Sequence, residues 1–222
     1  MICRELMEDG RKNKLSEFKV AVSTMFEYLI RYFNSYASKS LVGDEIDLIQ
    51  SLFVAKKFRK RQYFLQEGEI CKYTSFIIRG AMRQYGVDEK GEEHIINLFI
   101  ENWWASDRES LLNQTPSKYF IDAWEDTEVL RVTKTDLTYL VDNIPVLTEC
   151  MRKVEANFAI ASQNRISAAI SLPAEERYYD LEKTYPEFLQ RFPQHIIASY
   201  LGVNRETLSR IRSRAVKKVN PF

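Results

Sequence analysis

The stretch Pro193-Gln-His-Ile-Ile-Ala-Ser-Tyr-Leu-Gly-Val-Asn-Arg-Glu-Thr-Leu-Ser-Arg-Ile-Arg212 decides the reading of this 222-residue chain. Ile197, Leu201, Leu208 and Ile211 form the apolar face of two crossing helices, and Ala198 is small where the second helix must approach. Gly202 sits where the turn needs a left-handed residue. Asn204 is placed to cap the next helix with its side-chain oxygen. Together these residues spell a helix-turn-helix, against the plainer alternative of a helical hairpin.

The solvent face separates the two. Arg205, Glu206, Ser209 and Arg210 cluster at the start of the last helix, where a recognition helix meets base edges. Arginine pairs with guanine O6 and N7, and glutamate accepts from cytosine N4. Arg212, Arg214, Lys217 and Lys218 follow, suited to phosphates. Overall the chain carries 32 Lys+Arg, 31 Asp+Glu and a net charge of +1. That near-zero value is an average. From Arg191 onward seven positives face one negative (+6), leaving 25 positives and 30 negatives (−5) elsewhere. An acidic body with a basic end points to nucleic acid or a membrane as partner, and the helix-turn-helix face selects double-stranded DNA.

Upstream, Leu147, Met151, Val154, Phe158 and Ala161 recur at four, three, four, three, beyond a Pro145 fit for a first helical turn. That is coiled-coil spacing and predicts a dimer seam, although the same stripe could pack on the chain's own sheet. Before it, Phe58 to Arg131 reads as short strands: Tyr63–Leu65, Thr74–Ile78, Ile95–Ile100, Tyr119–Ala123 and Val129–Val132. Turn signals separate them, with Asp88 to Gly91 as a hairpin tip, and a β-roll or jelly roll is expected. Leu15–Tyr36 and Asp44–Phe53 have helical periodicity. The fold class is thus α+β, divided as 1–24 extension, 25–140 sensor domain, 141–170 dimerisation helix and 171–222 helix-turn-helix.

Several classes are excluded. No run approaches the ~18 apolar residues of a membrane helix, and the first residues lack a leader's apolar core, so a cytoplasmic protein is expected. Cys3, Cys71 and Cys150 are too few and scattered for a disulfide framework or a four-thiolate cluster. His94 is the one histidine of the strand region, against a cupin-type enzyme that needs converging ligands. No catalytic activity and no cofactor is expected.

From about Met25 to Lys218 the sequence resembles the Crp/Fnr family of bacterial transcription regulators. The order of a cyclic-nucleotide-binding-like β-roll, a long helix and a C-terminal helix-turn-helix matches. Arg205-Glu206-Thr207-Leu208-Ser209-Arg210 is similar to the family's recognition motif, and Gly68 and Gly80 match structural glycines of its β-roll. The resemblance implies a homodimer on a palindromic operator, RNA polymerase as a partner and a small-molecule effector. It places the effector pocket at Trp104, Ser106, Asp107, Ser117 and Lys118. There the chain departs from the pattern: Ala105-Ser106 and Pro116-Ser117 stand where a Gly-Glu pair and the phosphate-binding Arg-Ser pair are expected. From Glu101 to Leu130 two positives face seven negatives, the wrong sign for a buried phosphate, with Lys118 as the fallback cation. A ligand-binding sensor or interaction module without DNA binding is the alternative reading.

Overall fold

The computed structural model describes residues 2–219, with side chains from 19 to 214. In chain order the elements are α1 (Ile2–Tyr36), α2 (Gly43–Leu52), β1 (Val54–Phe58), β2 (Tyr63–Leu65), β3 (Tyr73–Arg79), β4 (Met82–Val87), β5 (Glu93–Phe99) and β6 (Trp104–Ala105). Then follow α3 (Arg108–Asn113), β7 (Phe120–Ala123), β8 (Thr127–Thr133), α4 (Lys134–Asn143), α5 (Pro145–Ser171), α6 (Ala174–Thr184), α7 (Pro186–Arg191), α8 (Gln194–Tyr200) and α9 (Arg205–Val219). The strands make two four-stranded antiparallel sheets, ordered β1-β8-β3-β6 and β2-β7-β4-β5. This is the expected α+β class: a β-roll, a long helix and a C-terminal helical segment.

Alternation along the strands puts Phe58, Leu65, Ile77, Met82, Phe99, Ile121 and Val129 between the two sheets. Burial of that apolar set is the main force closing the roll. Two glycines answer to geometry. Gly91 ends the β4–β5 tip at φ 81°. At Gly80, φ is 107° and a Cβ would lie 2.5 Å from Thr127 Oγ1, so no other residue fits there without movement.

A second core sits on the outer face of the first sheet. Leu29 and Phe33 of α1, Ile49 of α2 and Leu140 of α4 meet Phe76, Leu130 and Val132 there. Leu147 and Cys150 of α5 complete it. At the far end of α1, Glu149 Oε2 accepts from Ser38 N (2.8 Å), pinning the helix exit to α5.

A third core joins the C-terminal helices to the outer face of the second sheet. Tyr85, Ile95, Leu98 and Ile100 pack with Tyr178, Leu181, Phe188, Phe192, Ile196 and Leu208. Strand β5 is a sheet edge, and its open backbone groups find partners on the helical side. Ser199 Oγ accepts from Ile95 N (2.9 Å) and donates to Glu93 O (3.2 Å). Arg165 donates to Ile96 O and lies 4.9 Å over the Tyr200 ring. Arg191 pairs with Glu101 and Glu125, while its carbonyl accepts from Trp124 Nε1 (3.1 Å).

This architecture alters the seam. Leu147 is fully buried in the chain's own core, with Met151 and Val154 packed against it. Phe158 and Ala161 share that inward side, lining a cavity against the roll. The chain's own core thus covers the first part of the stripe, Leu147 to Val154, while Phe158 and Ala161 stay exposed. A 3.5-residue period marks a buried stripe whether a partner chain or the same chain covers it. The outward face of α5 carries Ile160, Ile166 and Ile170, the last two 60% and 81% exposed.

Candidate nucleic-acid interface and sensor cavity

Between α8 and α9 the chain turns at Gly202 (φ 66°), and Val203 N donates to Ala198 O (3.0 Å). Asn204 Oδ1 accepts from Thr207 N (2.8 Å), satisfying one of the free amides of the first turn of α9. Ile197, Ala198, Leu201, Leu208 and Ile211 are buried, as the sequence pattern requires. Packing that face inward turns Arg205, Glu206, Ser209 and Arg210 to solvent together. Arg210 touches Thr207 Oγ1 at 3.2 Å, its own helix. The face thus offers guanidinium forks and one carboxylate, the donors and acceptor for base edges.

The expected phosphate contacts divide. Arg214 is exposed, 3.9 Å from Glu175. Arg212 is half-buried beside Tyr178, whose phenol is raised by burial while Arg212 works against that rise. The side chains of Lys217 and Lys218 lie outside the described residues.

A cavity of about 850 Å³ opens between the roll, α1, α4 and the inward side of α5. Trp104, Ser106 and Asp107 line it, with Trp103, Tyr32, Leu111 and Phe158. Ser117 and Lys118 are not in its wall. Lys118 is exposed and pairs at 3.4 Å with Glu109, a residue of the cavity wall. Ser117 is buried and donates to Asp107 Oδ2 (2.6 Å). Asp107 also caps α3, accepting from Glu109 N (3.1 Å) and Ser110 N (3.4 Å). Asp107 and Ser117 are therefore occupied with one another and Lys118 with Glu109, and the charge buried at this point is a carboxylate.

Lys134, Arg152 and Arg108 put cations in the cavity wall, the last of them on α3 facing α5. The Arg108 guanidinium lies 4.1 Å over the Phe158 ring and 4.0 Å from Glu155. Burial lowers it from the ordinary arginine value, with Glu155 opposing. Contacts of this kind depend on the approach of α5 to α3 and leave no periodic trace in sequence.

The thiols do not converge. Cys71 and Cys150 are buried in different apolar clusters. Burial pushes the Cys150 thiol up to about 12 and raises that of Cys71. Such thiols are poor thiolate ligands. Cys3 lies outside the described side chains. At the β4–β5 tip, ligand atoms of Asp88, Glu92 and His94 fall within 4.8 Å of one another, with His94 Nε2 2.9 Å from Asp88 Oδ2. Among the described residues no helix is long and apolar enough to cross a membrane.

A two-sheet roll, a long helix and an exposed, capped helix after a tight turn make up the architecture of Crp/Fnr-type transcription regulators. Residues 55–143 match the cyclic nucleotide-binding domain family. The chain is 26% identical over 185 residues to the anaerobic regulatory protein of Aggregatibacter actinomycetemcomitans, covering 78% of this chain and 71% of that one. It is 25% identical over 185 residues to the fumarate and nitrate reduction regulatory protein of Escherichia coli K12, covering 78% and 73%. In fold it resembles FixK2 from Bradyrhizobium japonicum, with a TM-score of 0.62, 18% identity and 75% and 86% coverage. Over most of its length the chain is thus similar to Crp/Fnr-type transcription regulators, and residues 55–143 form a cyclic nucleotide-binding-type domain.

Proposed function

We propose that this regulator is a sequence-specific DNA-binding homodimer that reads a palindromic operator through α9. The observation that carries the reading is the exposed set Arg205, Glu206, Ser209 and Arg210, held at the first turn of a helix capped by Asn204. Arg205 and Arg210 fit guanine edges and Glu206 fits cytosine N4, with Arg214, Lys217 and Lys218 on phosphates. The partner copy docks along α5, on Phe158 and Ala161 of the expected seam and on the exposed Ile160, Ile166 and Ile170, while Leu147, Met151 and Val154 serve the chain's own core. Residues 171–222 are the reading module and 25–140 the sensor. RNA polymerase is the partner at the promoter, in the cytoplasm, and the protein acts by binding rather than catalysis.

The cavity beside Trp104, Ser106 and Asp107 is the effector site, and it lacks the usual phosphate-binding arginine, with Pro116-Ser117 in place of the Arg-Ser pair. A cyclic phosphate there would meet the buried Asp107 carboxylate, with Lys118 already paired to Glu109. Selection of bound sites from a random duplex pool tests the reading: two inverted half-sites about one helical turn apart are expected. Recovery of no enriched sequence would count against base reading, and a single unrepeated half-site against the dimer.

A further inference from the structure

We propose that the basic turn from Lys56 to Arg61 is a second DNA-contacting surface, which takes phosphates of the duplex flanking the half-site read by α9. The inference rests on the DNA-binding reading above. Lys56, Lys57, Arg59, Lys60 and Arg61 place five cations in six residues, within a body that otherwise carries a surplus of acids. All five side chains are exposed. Lys57 pairs with Glu128 at 2.8 Å. Among the described residues no ion pair holds the other four.

A run of charges is ordinarily just a solvated edge, and two observations set this one apart. The turn is built rather than loose. Arg61 holds φ at 68°, a region costly for a residue with a side chain. Its amide donates to Ala123 O (2.7 Å), Gln62 N donates to Arg59 O (2.9 Å), and Gln62 Oε1 accepts from Arg59 N (3.0 Å). Asp126 Oδ1 accepts from Lys60 N (2.9 Å), so the nearest acid serves the backbone of the turn. The cations at 59 to 61 therefore project from an ordered tip, and little backbone ordering opposes their binding.

The second observation is position. Lys60 Nζ lies 5.7 Å from the Trp124 ring. On the helical side, Trp124 Nε1 donates to Arg191 O at 3.1 Å, and its ring centroid is 6.4 Å from that of His195, near the start of α8. One indole thus separates the turn from the first helix of the helix-turn-helix. That helix is the one that crosses the DNA backbone when the second enters the major groove. Cations beside its start meet the next phosphates along the duplex. Lysine and arginine both bind phosphate without reading bases, so the surface adds affinity and salt dependence but no sequence preference.

The test uses the full chain, labelled random-sequence duplexes of about 20 and about 40 base pairs, and anisotropy titrations over a range of salt. The variant carries Lys56→Gln, Arg59→Gln, Lys60→Gln and Arg61→Asn, the last because asparagine tolerates positive φ. On the long duplex the variant is expected to bind about tenfold or more weakly. Its slope of log K against log salt should be shallower by roughly 0.9 per lost phosphate contact. On the short duplex the two proteins should agree within about twofold. Single Lys56→Gln and Lys60→Gln variants move the same way in smaller steps, which keeps the test decisive if the combined variant unfolds. Equal slopes and affinities on the long duplex would overturn the proposal while leaving base reading by α9 intact. A loss confined to binding of phosphatidylserine vesicles would overturn it in favour of a membrane surface. A wild-type chain that binds neither duplex defeats the DNA reading itself, and this proposal with it.

Discussion

The first turn of α9 and the segment joining β6 to β7 carry the same kinds of side chain and use them in opposite ways. In α9, backbone amides are served by Asn204, and Arg205, Glu206 and Arg210 stay at the surface with their charge available. In the β6–β7 segment, Asp107 takes Ser117 and two backbone amides, and Lys118 takes Glu109. Asp122, one strand on, takes Arg83 at 2.9 Å. A charged group held by its own fold has little left for a ligand. One left free on a rigid helix is placed to bind.

The comparison breaks most visibly at the internally held pair. Arg83 and Asp122 are almost wholly buried, and Arg83 is held charged: burial works against it, but the Asp122 and Glu93 carboxylates outweigh that. Arg83→Met leaves Asp122 buried without its partner and should cost about 3–5 kcal/mol in urea unfolding. A cost below about 1 kcal/mol would show that water reaches the pair.

At the free surface, Arg205→Ala should leave stability unchanged and weaken operator binding by roughly 1–3 kcal/mol, relaxing preference at one base pair. Equal weakening on random duplex would make Arg205 a phosphate contact. Asn204→Ala links the two regimes, because the cap both stabilises and orients the helix. A loss of about 1 kcal/mol in thermal unfolding is expected. On α5, Ile166→Asp with Ile170→Asp should give monomers by sedimentation. Leu147→Asp should instead unfold the chain, since Leu147 has no exposed surface.

The smallest effect concerns the Arg191 tether between the helices and the roll. Burial would raise Glu101, but the Arg191 guanidinium and the Gly80 amide outweigh it and hold the carboxyl below the usual range. A depressed acid stabilises the fold above its ordinary pKa, and that contribution disappears as pH falls through the lowered value. Thermal midpoints should therefore fall on acidification more steeply than in Arg191→Gln. The groups are part-exposed, so the difference is under about 1 kcal/mol.

Much of this was legible in the sequence, for a local reason. The pairing of Ala198 with Gly202 and the cap at Asn204 act within a few residues, so residue type and spacing suffice to read them. Strands rich in β-branched and aromatic residues, such as Thr127–Thr133 around Val129 and Val132, were visible in the same way. Strand β4 and helices α3 and α7 were not. In β4 a buried arginine and glutamine stand where alternation expects apolar residues, and their partners lie on other strands. The two short helices offer too few residues for a period.

By itself, then, the sequence determined the fold class, the order of its parts and the identity of the helix-turn-helix face, because these rest on local periodicity and turn chemistry. Only the tertiary structure decided which way α5 faces, that Arg108 rather than Lys118 reaches the cavity, and that the basic turn at 56–61 lies one indole from α8. Each of those depends on which element covers which, and a covered stripe looks the same in sequence whatever covers it.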